Sequence, residues 1–398
     1  MAPDIRHSLV SVRAGWFSPE DCDLDEFVAL VQDSTDLDHY PFAEDAQANV
    51  LIYGPDLTDR VADADARRAA QAELARAILD GPGIVVFKGA FDDDVVDATS
   101  AVFNRLLADQ AAGATVVGDH FAKPGENGRL WSALDKLAAA DPEVFADYYA
   151  NDIVALVSEA WLGPNYQITS QVNVVYPGGT AQVPHRDYHL GFMDSEQAEA
   201  YPAQAHLLSP ALTLQGAVAH SAMPLESGPT MLLPFSQRYR QGYLAWHLPA
   251  FQEYFAEHYV QLPLEKGDAV FFSPAVFHGA GTNRTADIAR MANLLQVSSA
   301  FGRPMETIDT TAISTMVFPV LQRWVAAQAA PRAVANVIAA SAEGYAFPTN
   351  LDSDQPVGSM APPSQAALLE RALAEAWDEQ RFRTELEAQQ QRRRSPLG

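Results

Sequence analysis

The chain has 398 residues, of which 48% are hydrophobic and 19% charged, so it can bury a full core in one large domain or in two smaller ones. Its 26 Lys and Arg residues stand against 51 Asp and Glu residues, and the net charge of −25 argues against nucleic acid or a membrane surface as the main partner. The single cysteine, Cys22, excludes an intrachain disulfide and favours a reducing compartment. Because the sequence has no signal-peptide pattern and no apolar run of about 18 residues, it predicts a cytoplasmic protein without a membrane span.

The N-terminal part of the chain predicts helices around one short strand. Residues 1 to about 60 carry scattered aromatic residues without a regular period and predict an arm that packs on the core. Regular periods begin at Asp65, and Gly81-Pro82-Gly83 ends the first helix. The predicted elements are a helix from Asp65 to Leu79, a buried strand from Ile84 to Phe87, a helix from Asp92 to Leu107, and a mostly helical stretch from Leu130 to Leu162 that is broken near Asp141-Pro142.

The middle of the chain changes to short β-rich runs separated by Gly and Pro turns. Such runs are typical of a β-sandwich or a β-barrel. The predicted strands are Gln167–Tyr176, Leu212–Ser221, Pro229–Leu233, Tyr259–Leu264, Ala269–Phe272 and Met291–Ser298.

The C-terminal part predicts helices again. Residues Ile308 to Ala329 and Pro331 to Ala342 have helical spacing, and Ser364 is a suitable N-cap for a helix that runs to about Gln391. We expect the apolar stripe of that last helix either to cover the core of its own chain or to contact a second subunit in a homodimer.

Two short stretches carry the candidate metal ligands. Residues i and i+2 of an extended backbone point to the same side, so His185 and Asp187 can reach one ion. His278 ends an apolar, strand-like run and precedes a Gly-rich turn. Two imidazoles and one carboxylate on one face of an octahedral metal form the ligand set of non-heme Fe(II) oxygenases. The purely structural alternative is a buried, hydrogen-bonded histidine pair with Asp187 capping a turn.

A competing metal pattern pairs His185 with His189. On a helix, histidines at this spacing would suit zinc. Pro184 and the extended flanks argue against a helix there, so we expect His189 either to contact the metal ligands without binding the metal or to line the pocket wall.

Arginines that follow His278 are candidates for binding a carboxylate, because a guanidinium presents a planar fork of donors. Arg290 opens an apolar run and would point into a barrel, whereas Arg284 lies in a turn, where an arginine is usually solvated. The sequence therefore favours Arg290.

Taken together, these motifs resemble the phytanoyl-CoA dioxygenase family of Fe(II)- and 2-oxoglutarate-dependent oxygenases over about residues 83 to 300. The resemblance rests on Gly83–Gly89, Gln182-x-x-His185-x-Asp187, Glu226–Ser236, Lys266–Phe272, and His278–Asn283 with Arg290. It implies a mainly β core with α-helices, namely a double-stranded β-helix, or cupin-like jelly-roll, with flanking helices. In this arrangement residues 1–82 form an N-terminal arm and helix packed on the core, residues 83–300 form the core, and residues 301–398 form a helical C-terminal extension of one integrated catalytic domain.

The resemblance also implies the cofactors and their ligands. These are Fe(II), 2-oxoglutarate as cosubstrate and O2, with His185, Asp187 and His278 on the metal and Arg290 on the distal carboxylate of 2-oxoglutarate. In halogenating relatives Gly or Ala stands at the position of Asp187, so Asp187 implies hydroxylation or another oxidation of a small metabolite, with release of succinate and CO2. Further cosubstrate contacts are expected at Gln182, Asn173 and Thr230. Candidates for the pocket wall are Tyr176, Tyr188, His189, Phe192, His220, Phe235 and Trp246.

Two alternatives come from other classes of protein. A zinc-type hydrolase or isomerase could use the same ligands on the same jelly-roll, and it would need no O2. A non-catalytic jelly-roll could bind a small molecule, but it would be expected to lack His278 or Asp187, and both are present. Within the oxygenase class, a coenzyme A thioester fits poorly with a net charge of −25, because the sequence contains no evident basic patch.

Overall fold

The computed structural model describes residues 15–113 and 126–394, and the structural statements below refer to these residues. The chain divides into two units. Within the described residues, unit 1 comprises residues 15–90, 126–128 and 173–294, and unit 2 comprises residues 91–113, 129–172 and 295–394.

The strands confirm the predicted sheet-rich core. They are β1 (Asp45–Gln47), β2 (Val50–Tyr53), β3 (Ile84–Phe87), β4 (Asn127–Leu130), β5 (Gln167–Val175), β6 (Thr213–Ala219), β7 (Met231–Leu233), β8 (Ala269–Phe272), β9 (Phe277–Gly279) and β10 (Arg290–Ser298). Eight of them form one sheet in the order β1-β2-β3-β8-β6-β10-β5-β4, and β7 pairs with β9 in a second sheet. The large sheet is mixed, because β2 runs parallel to β3 whereas β8 runs antiparallel to both β3 and β6.

The α-helices occupy both ends of the chain and the intervals between strands. They are α1 (Leu24–Val31), α2 (Leu57–Arg60), α3 (Ala64–Leu79), α4 (Asp93–Gly113), α5 (Ala133–Ala140), α6 (Pro142–Tyr149), α7 (Asp152–Leu162), α8 (Ser195–Glu199), α9 (Ala203–Leu208), α10 (Gly242–Ala245), α11 (Pro249–His258), α12 (Thr310–Ala326), α13 (Pro331–Ser341), α14 (Gln365–Ala374) and α15 (Glu379–Arg393). In the two described ranges, none of these helices is both long enough and apolar enough to cross a membrane.

Unit 1 is held together by two apolar clusters. One lies on the faces of β2, β3, β6 and β8 and includes Ile84, Val86 and Phe272. The other contains aromatic residues around Phe27 and Phe277, next to the β7–β9 pair. Gly216 fixes the orientation of β6, because a Cβ at this position would overlap the ring of Phe271. The neighbouring residues of β6 therefore point to the opposite face.

Unit 2 is mainly helical. Phe318 of α12 stacks on Phe382 of α15 with ring centroids 4.2 Å apart. The apolar stripe that was predicted to face either the core or a second subunit is buried within the chain at Leu369, Trp377, Phe382 and Leu386.

Several element predictions are confirmed. The helix predicted from Asp65 to Leu79 is α3, and the strand predicted at 84–87 is β3. The break predicted near Asp141 occurs because the Asp141 side chain accepts hydrogen bonds from the first turn of α6. A second break follows at Asn151, which caps α7 in the same way.

Two element predictions are wrong. Residues Tyr259–Leu264 form no strand and make only isolated bridges, through Val260 and Leu264. Pro263 lies between the two bridges and lacks the N–H that a continuous ladder needs. The helix predicted from Ser364 to Gln391 is two helices, α14 and α15. Asp378 starts the second by accepting the backbone N–H of Arg381.

The predicted N-terminal arm lies partly outside the described residues, which begin at residue 15. Its described part adds β1 and β2 to the large sheet, where Leu51 lies opposite Val85. Short strands such as these give little periodic signal in sequence.

Candidate metal and cosubstrate site

The three predicted metal ligands come together because two chain segments pair through their backbones. His185 and His278 form an antiparallel bridge, in which each backbone N–H donates to the other residue's carbonyl at 2.9 and 3.1 Å. The N–H of Asp187 donates to the carbonyl of Pro274 at 2.9 Å, so the two segments stay hydrogen-bonded past the bridge, although in a register shifted by two residues. His278 is also held by strand β9, which pairs with β7.

The candidate ligand atoms of His185, Asp187 and His278 all lie within 4.8 Å of one another. Nε2 of His185 is 3.6 Å from Oδ1 of Asp187, and Nε2 of His278 is 3.3 Å from Oδ2. A cluster of two imidazole nitrogens and one carboxylate on one side is the donor set that suits a non-heme Fe(II) centre with open coordination positions.

Backbone carbonyls fix the orientation of both imidazoles. Nδ1 of His185 is 2.8 Å from the carbonyl oxygen of Val183, and Nδ1 of His278 is 2.9 Å from that of Val276. Since a carbonyl can only accept, each Nδ1 donates its proton and each Nε2 keeps its lone pair for a metal. Burial, together with the neighbouring His278, lowers the pKa of His185 and keeps this ring neutral, as a metal ligand must be.

Gln215 of β6 is a site residue that the sequence analysis missed. Its Nε2 donates to Oδ2 of Asp187 at 2.5 Å and lies 3.2 Å from Nε2 of His278, while its Oε1 is buried without a hydrogen-bond partner among the described residues. The only sequence feature that could have indicated Gln215 is that it is an amide in a mostly apolar strand, on the face of β6 opposite to that of Gly216. That signal is weak, because nothing in the sequence shows which segment the strand faces.

The Asp187 carboxylate is stabilised in its ionised form. Burial by itself would raise the pKa of Asp187, but the two imidazoles and the hydrogen bond from Gln215 outweigh burial and hold this pKa well below its usual range. The site therefore offers a cation one negative charge and two neutral nitrogens.

Arg290 and Arg284 lie in different environments. Arg290 begins β10 and is 7% exposed, and its Nε is buried without a hydrogen-bond partner among the described residues. Burial lowers the pKa of Arg290 to about 10, which still leaves it charged at neutral pH. Arg284 is exposed. A buried guanidinium with an unused donor is suited to a carboxylate.

The three other predicted cosubstrate contacts differ in how they are used. Oδ1 of Asn173, on β5, is buried without a partner among the described residues. Oε1 of Gln182 instead accepts the backbone N–H of Ala280 at 3.0 Å, so this amide braces the turn after His278. Thr230 is half-buried and immediately precedes β7.

Among the predicted pocket residues, Tyr188, His189 and Phe235 have an unusual backbone. Their φ angles are +60°, +48° and +67°, a region that residues with a Cβ adopt rarely and that recurs at functional sites. The chain therefore turns sharply just after Asp187, and the Tyr188 ring meets Phe192 edge-on at 5.6 Å. Trp246, by contrast, packs against the aromatic cluster beside β7 and β9.

The donor set is of the kind that mononuclear non-heme iron oxygenases use, and comparison with known families shows the class of protein. The sequence profile "Phytanoyl-CoA dioxygenase (PhyH)" matches residues 79–292, which is more than half of the chain. The chain belongs to this family and is a 2-oxoglutarate-dependent non-heme iron oxygenase that uses Fe(II), 2-oxoglutarate and O2. Among curated proteins, no sequence matches this chain.

The chain also matches solved structures of other proteins, three of which are EctD, SnoK and HygX. EctD from S. alaskensis with bound Fe has 22% sequence identity and a TM-score of 0.42, covering 60% of this chain and 78% of its own. The carbocyclase SnoK from nogalamycin biosynthesis has 18% identity and a TM-score of 0.43, covering 57% and 83%. HygX from Streptomyces hygroscopicus, with nickel and 2-oxoglutarate bound, has 14% identity and a TM-score of 0.39, covering 59% and 90%.

Proposed function

We propose that His185, Asp187 and His278 bind the Fe(II) of this oxygenase. The observation that carries the proposal is the convergence of their ligand atoms within 4.8 Å. It is supported by the two Nδ1–carbonyl contacts, which leave both Nε2 atoms available. Gln215 would hold Asp187 in place by donating to Oδ2, the carboxylate oxygen that faces His278.

Arg290 is the residue proposed to bind the distal carboxylate of 2-oxoglutarate. Its burial and its unpartnered Nε support this role, and the exposure of Arg284 argues against the competing assignment. Asn173 is proposed as a second contact, because its buried Oδ1 also lacks a partner among the described residues. Thr230 is proposed to contact 2-oxoglutarate through its hydroxyl. Gln182 is proposed to do so through its NH2 group, since its oxygen already accepts the N–H of Ala280.

The proposed reaction is the oxidation of a C–H bond in a small organic metabolite, with hydroxylation as its simplest form. When bound, Fe(II) and 2-oxoglutarate supply the oxidising chemistry: one atom of O2 enters the substrate and the other enters succinate, as 2-oxoglutarate loses CO2. The protein orients the ligands, keeps His185 neutral and Asp187 ionised, and holds the cosubstrate at Arg290. Asp187 occupies the position at which halogenating relatives have Gly or Ala, which favours hydroxylation over halogenation.

We further propose that the strands form the double-stranded β-helix expected for the family. Residues 83–300 would be its core, residues 1–82 an arm and helix packed on it, and residues 301–398 a helical C-terminal extension. The lone cysteine and the net charge of −25 support a cytoplasmic enzyme that acts on a small molecule rather than on nucleic acid or lipid surfaces. A homodimer through the C-terminal helices is the proposed assembly, and because their apolar stripe is buried within the chain, the contact would use the exposed faces of these helices.

The test is succinate formation from 2-oxoglutarate, measured with Fe(II) across a panel of metabolites. We expect one chemical class to stimulate succinate formation, an oxidised product to appear in equal amount, and both to stop without O2. Turnover supported by zinc in the absence of O2 would contradict the proposal and favour the hydrolase or isomerase alternative.

A further inference from the structure

Arg186 stands between the two proposed ligands His185 and Asp187, yet it points away from them, because neighbouring residues of an extended segment face opposite sides. It is only 2% exposed, and no ion pair among the described residues involves it. Burying a guanidinium without a carboxylate partner is costly. A buried guanidinium next to the site must therefore be stabilised by other contacts, and its position suggests a role in the site.

Backbone carbonyls and aromatic rings hold this guanidinium. Nη2 of Arg186 donates to the carbonyl of Ser236 at 2.6 Å and to that of Tyr239 at 2.9 Å. The rings of Tyr243 and Phe277 lie 5.2 and 5.3 Å from Cζ, within the range of cation–π attraction. Gly242 leaves the necessary space, because a Cβ at that position would overlap the guanidinium.

Ser236 connects the same group to the other ligand segment. Its hydroxyl oxygen accepts the backbone N–H of Phe277 at 2.8 Å and donates to the carbonyl of Leu233 at 2.6 Å. Phe277 directly precedes His278. One buried serine is therefore bonded through its carbonyl to the segment of His185 and Asp187, and through its hydroxyl to the segment of His278.

We propose that Arg186 and Ser236 form a clamp behind the metal centre that sets the position of His185 and Asp187 relative to His278. The inference rests on the proposed metal site and assigns positioning roles to two residues that touch neither metal nor substrate. A guanidinium suits the role because its Nη2 donates to both carbonyls while the group lies within cation–π range of two rings, and because it is more weakly hydrated than an ammonium and so easier to bury. The clamp lets the triad form before the metal arrives.

The test is an anaerobic calorimetric titration of Fe(II) into the metal-free full-length protein. Partners that orient metal ligands typically contribute about 10- to 100-fold to metal affinity, so Arg186→Lys should weaken Fe(II) binding by about that factor. The ligand-field absorption of the Co(II) form should shift in the same variant, because it reports ligand geometry. A serine variant, Ser236→Ala, should also weaken Fe(II) binding, and the double variant should be no weaker than Arg186→Lys alone, since both changes act on one device.

Arg238 provides the matched control. Its guanidinium donates to the backbone carbonyl of Leu30 at 2.9 Å and to Asp33 at 2.9 Å, lies 4.9 Å from the Phe235 ring centroid, and has a buried Nε without a partner, like Arg186. Its side-chain hydrogen bonds go to Leu30, Asp33 and Asp80, and none of these residues lies in a ligand segment. Arg238→Lys should lower the melting temperature but leave Fe(II) affinity and the Co(II) spectrum unchanged.

The outcomes separate the clamp from the metal site itself. If Asp187→Ala removes Fe(II) binding while Arg186→Lys and Ser236→Ala bind Fe(II) as the wild type does, the clamp is overturned and the metal site stands. If Asp187→Ala binds Fe(II) normally, the assignment of the metal ligands is wrong, and the clamp, which rests on it, is overturned with it. Should Arg186→Lys not fold, Ser236→Ala carries the same test, and wild-type affinity in that variant overturns the clamp.

Discussion

The proposed site has a metal part (His185, Asp187 and His278) and a cosubstrate part (Arg290 and Asn173). The two parts differ in whether their buried polar groups already have hydrogen-bond partners within the chain. Around His185, Asp187 and His278, the groups that orient the proposed ligands are already bonded to them: two backbone carbonyls and the amide nitrogen of Gln215, whose Oε1 is buried without a partner among the described residues. At the proposed cosubstrate contacts, Nε of Arg290 and Oδ1 of Asn173 are buried without partners among the described residues.

This difference indicates which part depends on its ligand. Buried polar groups nearly always have hydrogen-bond partners, and leaving one unsatisfied costs about 1–3 kcal/mol. The proposed metal ligands are therefore organised by the chain, whereas Arg290 and Asn173 are suited to gain their partners from a bound anion. Changes in the metal part should act on iron, and changes in the cosubstrate part should act on 2-oxoglutarate.

The largest effect is expected from the ligands themselves. Asp187→Ala or His278→Ala removes one of three protein donors, so iron content should fall to the background level and succinate formation with it. Iron analysis of the purified variants, alongside circular dichroism to show an intact fold, checks this. Near-normal iron content and turnover in either variant would disprove the ligand assignment.

Arg290→Ala comes next. Truncating one partner of a buried charge pair typically costs about 2–5 kcal/mol, or about 30- to several-thousand-fold in affinity. The apparent KM for 2-oxoglutarate should rise by at least tens-fold, with iron binding largely intact, and Arg290→Lys should recover only part because it lacks the fork. The measurement is a 2-oxoglutarate titration that follows succinate.

Arg284→Ala is the internal control for that titration, and it should change little because Arg284 is exposed. The assignment of the cosubstrate to Arg290 would be reversed if Arg284→Ala were the impaired variant and Arg290→Ala were not.

Gln215→Leu should affect the metal part of the site rather than the cosubstrate part. Removing the donor to Asp187 leaves the carboxylate free to rotate, so Fe(II) affinity should fall by about 10- to 100-fold, as for other partners of metal ligands. At saturating Fe(II), the KM for 2-oxoglutarate should stay close to that of the wild type. An unchanged Fe(II) affinity, measured by anaerobic calorimetry, would show that Gln215 does not position Asp187.

The smallest effect is expected from Asn173→Ala. One hydrogen bond contributes about 0.5–1.5 kcal/mol net, so the affinity for 2-oxoglutarate should fall by about 2- to 13-fold. Fe(II) affinity should not change. If Fe(II) affinity fell instead, Asn173 would belong to the metal part and the division of the site would be wrong.

Sequence patterns predicted the parts of the fold and site that depend on local spacing. The i, i+2 rule is consistent with the observed proximity of His185 and Asp187, and position at the start of a strand distinguished buried Arg290 from exposed Arg284. The helix α3 and strand β3 followed from periodicity and from the Gly-Pro-Gly stop.

Features that depend on partners far away in the chain could not be predicted in this way. Gln215 and Ser236 acquire their roles only when separate segments meet, and no local pattern records those meetings. Similarly, Val260 and Leu264 each pair with a different part of the chain, which an apolar run cannot reveal. The buried position of Arg186 was equally hidden, because a charged residue in sequence suggests a solvated surface.

The most direct test of the account is a crystal structure of the protein with Fe(II) and 2-oxoglutarate, prepared without O2. We predict Nε2 of His185, Nε2 of His278 and one oxygen of Asp187 on the metal, with the ligand backbone unchanged. The fork of Arg290 should lie about 2.7–2.9 Å from the distal carboxylate of 2-oxoglutarate. A distal carboxylate bound by Arg284 or by solvent, or a metal held by other residues, would contradict the account.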